Sequence, residues 1–348
     1  MKPATGVRRP QMAAVAVFIW VAAMVLALGA SIGTLALLNH TLYSAAAFVE
    51  RYFDEVAHDN VNEILATPGV AITSDEYAAL GIPSTTSSAL LRNGITSDGP
   101  EQVQVTADHT MPGGTHEIEV SYQLDGQNQQ ASFQIAPRAK LLGVIQRWEF
   151  VQSPLQLLTV QLQHGTHFSV GSLTLDARAA STDDPSAFNH TANYLALAPA
   201  SYQLSYSSKL ITASPVVANV LPGQRTTATV NVQPTQALVD KVQSNLKDFL
   251  TQCATQQVLQ PSGCPFGASI DDRVTSDPQW SILTDPTVTL TAQDTGFVMP
   301  STPGTARLSV DVQSLYDGST STLDKTVDYS VALTVILRDD GSIAIQLH

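Results

Sequence analysis

Ile118-Glu119-Val120-Ser121-Tyr122-Gln123-Leu124 is closed by Asp125-Gly126 and followed by Ser132-Phe133-Gln134-Ile135, and the reading of this stretch decides the fold class. Apolar side chains fall at every second position, which is the period of a strand with one buried face. Asp-Gly suits a two-residue hairpin, because both central residues of a type I′ turn need positive φ. Val103 and Val105 start a strand before this hairpin, and Leu142, Val144, Trp148 and Phe150 form a fourth after it. The expectation is an antiparallel sheet with one polar face.

Upstream of the sheet the period changes. Phe48, Tyr52 and Val56 recur every four residues, with Val49 and Phe53 beside them, as on one helical stripe. His58-Asp59-Asn60 interrupts the stripe before Val61, Ile64 and Leu65, and Thr67-Pro68-Gly69 stops it. Short helices are expected around Glu76–Leu80 and Ser88–Arg92. Helices followed by an antiparallel sheet make residues 43–151 an α+β unit. Residues 152–234 read as a small β-sandwich, with strand signals from Leu155 to Val232 and turn residues every 8–12 positions. Residues 235–348 open with the clearest helix, carrying Val239, Val242, Leu246, Phe249, Leu250 and Cys253 on one face, and continue as strands that turn at Asp317-Gly318 and Asp340-Gly341. The expected fold class is therefore α+β throughout.

The amino terminus suggests an anchor. Residues 12–38 carry no charge, and as a helix they would be roughly 40 Å long against about 30 Å of hydrocarbon. Lys2, Arg8 and Arg9 precede them and would hold residues 1–11 in the cytoplasm. A cleaved signal peptide, ending near Ala27-Leu28-Gly29-Ala30, would have a much shorter apolar region. The expectation is a single-pass transmembrane helix at 12–38, with the lipid bilayer as a partner and everything after about Asn39 extracytoplasmic.

The chain has 17 basic and 30 acidic residues, a net charge of −13, and 44% hydrophobic against 14% charged residues. That composition excludes disorder and argues against nucleic acid as a partner, which needs clustered cations. Without residues 1–38, 14 basic residues face 30 acidic ones. Six lysines against eleven arginines, with abundant Ala, Val and Thr, suggest a GC-rich, actinobacterial-like source.

Phe48 to Leu65 with its Asp59-Asn60 break, and Val239 to Cys253 ahead of its strands, resemble the helix-plus-curved-sheet modules of the NTF2-like (nuclear-transport-factor-2-like) superfamily and its cystatin-like relatives. The overall plan is similar to membrane-anchored envelope proteins of Gram-positive bacteria, including teicoplanin-resistance-associated membrane proteins, although no zinc ribbon precedes the span. The resemblance implies an architecture of two NTF2-like modules flanking a β-sandwich. It also implies that a cone-shaped pocket in the last module could be lined by Trp280, Phe297, Tyr316 and Tyr329, although such residues are more often plain core, because a sheet must bury one face. Enzymes of that superfamily place an acid or histidine inside the cone, whereas Asp311 and Asp328 here fall on the polar face, opposite the valines.

Cys253 and Cys264 are the only cysteines. Pro261-Ser262-Gly263 turns the chain back between them, and the spacing is not Cys-x-x-Cys, so a structural disulfide is expected. Other motifs carry little chemistry. His164 and His167 lack a singled-out third ligand. Ser244-x-x-Lys247 lacks the Lys-Thr-Gly partner of penicillin-recognising enzymes, since Lys325-Thr326 is followed by Val327. Asp183-Asp184 and Asp271-Asp272 read as turn formers. The expectation is no cofactor, no metal site and no catalytic residue. It assigns a non-catalytic binding role in the bacterial envelope, toward an envelope protein or wall polymer. The alternatives are a wall-directed enzyme with a dispersed site, and an assembly subunit that forms a homo-oligomer through Gly29-x-x-x-Gly33.

Overall fold

The computed structural model describes residues 18–27, 41–338 and 340–348. Helix α1 (Ala45–Ala57) starts at Ser44, whose hydroxyl accepts from the Ala47 N–H at 3.1 Å, and α2 (Val61–Ala66) follows the break at Asp59. Strands β1 (Glu101–Thr110), β2 (His116–Leu124), β3 (Gln127–Leu141) and β4 (Ile145–Phe150) form a simple meander in that order. Asp125 and Gly126 both have positive φ, 51° and 69°, as their hairpin requires. Helix α1 packs Phe53 edge-on against Tyr122 and Phe133 of this sheet.

Strands β5 (Gln156–Gln163), β6 (His167–Val170), β7 (Leu173–Asp176), β8 (His190–Ala196), β9 (Ala200–Ser207), β10 (Ile211–Val220), β11 (Thr226–Asn231) and β12 (Gln233–Pro234) make two sheets. One runs β12-β10-β9-β6-β7 and the other β11-β5-β8, with β11 and β5 parallel. Phe168 of the first meets Tyr194 of the second, ring centres 5.6 Å apart. The apolar cluster of these sheets is continuous with that of the amino-terminal meander, running from Ala45 to Val232. The Tyr52 hydroxyl ties the two together by donating to the Ala198 carbonyl at 2.5 Å.

A second apolar cluster runs from Leu238 to Val335. Helix α3 (Gln236–Ala254) is capped by the Thr235 hydroxyl, and it buries Leu238, Val242, Leu246, Leu250 and Cys253. Its sheet is built from β13 (Arg273–Val274), β14 (Gln279–Thr284), β15 (Thr291–Gln293), β16 (Gly296–Gln313), β17 (Thr320–Leu337) and β18 (Ile343–Leu347). β16 is the hub: it pairs with β13, β14, β15 and β17.

Two expectations are corrected. The chain is mainly β, 45% strand against 18% helix, with one sheet curled as a half-barrel, so the α+β class with its two NTF2-like modules gives way. The reason is local. Of the segment expected as a helix over 76–80 only Glu76 is helical, as the end of a three-residue 3₁₀ turn (Ser74–Glu76), and residues 88–92 are turn and irregular chain. In the last unit, β16 and β17 are each 18 residues long, so strands absorb the chain. Second, among the described residues no helix is long and apolar enough to cross a membrane. Of the expected span 12–38, only residues 18–27 are described, and they are helical. The transmembrane helix, the membrane assignment and the single-pass location with its extracytoplasmic ectodomain are corrected on that finding. Residues 1–17 and 28–40, with the expected cytoplasmic tail, Gly29 and Gly33, lie outside the described residues.

A cationic cleft as candidate functional site

The two apolar clusters meet at a seam. Thr235, the cap of α3, donates its hydroxyl to the Lys209 carbonyl at 2.8 Å and its N–H to the Leu210 carbonyl at 2.9 Å. The Phe188 ring stands edge-on to Phe297, first core residue of β16, with centres 5.3 Å apart. Asn189 donates to Asp294 at 3.3 Å. These contacts frame a cleft of about 1000 Å³ whose floor includes Phe188, Leu210, Ile211, Phe297, Ile336 and Leu337. That volume is at the upper end for ligand pockets.

One wall is the His164–His167 corner. His164 has φ 63° and holds its place through an N–H bond to Asn189 Oδ1 at 2.9 Å and a ring contact to Asn231 Oδ1 at 3.0 Å. Gly165 donates to the Phe188 carbonyl, and a Cβ on it would press on Val232 at 3.1 Å. His167 Nδ1 lies 2.8 Å from the Thr166 hydroxyl, and its Nε2 lies 3.9 Å from Asp176. The turn places both rings on the cleft, although a strand would have sent them to opposite faces. Among the described residues no group of three or more His, Cys, Asp or Glu side chains is placed to hold a metal.

Four cations from four separate elements surround the floor: Arg178, Lys209, Lys241 and Arg338. Arg178 clamps Asp176 through Nε to Oδ1 at 2.9 Å and Nη2 to Oδ2 at 2.7 Å. That clamp holds the Asp176 carboxyl below the usual range. Lys209, Lys241 and Arg338 are exposed and form no ion pair among the described residues. Among the described residues no Asp or Glu lines the cleft.

The residues expected to line a cone are not brought together. Trp280 and Tyr329 flank Phe266, at 4.9 and 5.5 Å, as filled core. Phe297 is buried on the floor of the seam cleft instead, and Tyr316 sits in the β16–β17 turn, 99% exposed. Ser244 and Lys247 are exposed on α3, and Asp311 and Asp328 are exposed on the sheet. Asp183 and Asp184 cap their own loop, accepting from Thr191 N–H and from Ser186. Asp272 accepts from the Leu315 N–H. Cys253 and Cys264 form a disulfide, with Cα atoms 5.8 Å apart, that ties the end of α3 to the following loop.

Shifted acidities belong to buried tyrosines and to carboxylates and an arginine held in local hydrogen bonds. The cleft cations escaped sequence reading because they are 31, 32 and 97 positions apart along the chain. The only available signal was their sign, in a chain dominated by acids. No protein-family model, curated protein or solved structure matches this chain.

Proposed function

We propose that this chain is a non-catalytic binding protein whose ligand occupies the seam cleft and lays an apolar portion on its floor. The observation that carries the reading is the cleft itself: about 1000 Å³, with the partly exposed Phe188, Leu210, Ile336 and Leu337 among its lining residues. Open apolar surface of this kind is stabilised when a ligand removes it from water, by about 25 cal/mol per Å².

The test uses N-phenyl-1-naphthylamine, a neutral apolar fluorophore, with the full chain and two cleft-filling variants, Ala187→Trp and Ala237→Trp. Both alanines line the cleft and are partly exposed. The reading expects saturable enhancement with the native chain and its loss in both variants, with melting temperatures unchanged. Equal enhancement in all three would overturn it.

A further inference from the structure

We infer that the ligand of the seam cleft carries an anionic group, held by Lys209, Lys241 and Arg338 while its apolar body lies on the floor. This inference rests on the binding reading above and names the chemistry of its ligand.

The argument begins with sign. Acids outnumber bases 30 to 17 in the chain, so an anion approaching most of its surface meets repulsion. The cleft reverses that balance, with four cations and no carboxylate among its described lining residues. They arrive independently: Arg178 from the 3₁₀ turn after β7, Lys209 from the β9–β10 turn, Lys241 from the second turn of α3, and Arg338 from the end of β17. No single amphipathic element explains such a convergence.

Three of the four have charge to spare. Arg178 is answered by Asp176, but Lys209, Lys241 and Arg338 form no ion pair among the described residues. Among the described residues the nearest acids in sequence have other partners: Asp240 accepts from Gln236 at 2.9 Å, and Asp340 accepts from the Ser342 N–H at 2.8 Å while feeling Arg338 only through space. Cations gathered without counter-charge repel one another, and an anion bound between them relieves that repulsion. The adjoining floor is apolar, so the complementary ligand joins a carboxylate, sulfonate or phosphate group to a hydrocarbon or aromatic body.

The experiment compares 1-anilinonaphthalene-8-sulfonate with N-phenyl-1-naphthylamine, which keeps the aromatic skeleton and lacks the sulfonate. The full chain is expected to bind the sulfonate about tenfold more tightly at low salt, an advantage that shrinks with ionic strength. Lys209→Gln/Lys241→Gln/Arg338→Gln together should remove most of that advantage and leave the neutral probe unaffected. Lys247→Gln, on α3 but away from the cleft, should change neither. Equal affinity for the two probes, or full sulfonate affinity in the triple variant, overturns the anionic ligand while the cleft reading stands. Failure of both probes to bind the native chain overturns the cleft reading, and this inference with it.

Discussion

Tyr329 lies over Gly304, its partner across the β16–β17 ladder, so closely that a Cβ on residue 304 would fall 2.5 Å from the Tyr329 Cζ. The glycine leaves room for the ring, and the ring covers backbone that the glycine exposes. Tyr329 then donates to the Thr284 carbonyl at 3.3 Å and packs on Phe266, linking the hub strand to β14 and the bridged loop.

Gly304→Ala should therefore destabilise by about 1–3 kcal/mol through overpacking. Tyr329→Leu should also destabilise, but the double variant should cost less than the sum of the two. Urea unfolding of the three variants measures this coupling; strict additivity would show that the ring and the glycine do not share space.

The Cys253–Cys264 bridge closes an 11-residue separation between the end of α3 and the loop whose Val258 carbonyl accepts from the Trp280 indole at 2.8 Å. Cys253→Ala/Cys264→Ala should lower stability by roughly 2–3 kcal/mol in the chain-entropy model. Denaturant curves of the native chain and the double variant check this, and a reductant should destabilise only the native chain.

Burial pushes the Tyr122 and Tyr329 hydroxyls up to about 12, and raises those of Tyr52, Tyr194 and Tyr202 further. An unfolded tyrosine ionises near 10, so between about pH 10 and 12 the folded chain holds protons that the unfolded chain has released. The stability these groups contribute is complete below about pH 10 and is lost as pH rises through 12. Absorbance at 295 nm from these phenolates should rise together with the loss of far-UV β signal. Complete ionisation of all tyrosines ahead of unfolding would refute the assignment.

Leu142 occupies the β3–β4 turn with φ 51° and is 86% exposed. A leucine in the left-handed region costs about 1–2 kcal/mol relative to its preferred conformations, and asparagine less. Leu142→Asn is expected to stabilise by up to about 1 kcal/mol, read as a higher melting temperature. A loss of stability would mean that the leucine makes a packing contribution its exposure hides.

The β2–β3 hairpin, α1, α3 and the disulfide were legible because each is local: alternation, a four-residue stripe, a turn between two cysteines. The hub strand was not. It contains Pro300 and Pro303, and proline cannot donate to a ladder. β16 nevertheless runs through them, with a register shift between Met299 and Thr302. The apolar run at 12–38 looked decisive by hydropathy alone, yet among the described residues no helix is long and apolar enough to span. The cone residues were chosen for size and aromaticity, which do not distinguish the buried Trp280 from the exposed Tyr316. The seam cleft is assembled from turns and strand ends distant in the chain, so no periodicity marks it.

Hydrogen–deuterium exchange of the full chain with and without 1-anilinonaphthalene-8-sulfonate tests the cleft most directly. The account predicts added protection in segments 164–167, 185–188, 208–211 and 336–341, and none along the glutamine-rich outer face of β1 to β3 (101–134). Protection spread evenly over the chain, or confined to segments away from the seam, would contradict it.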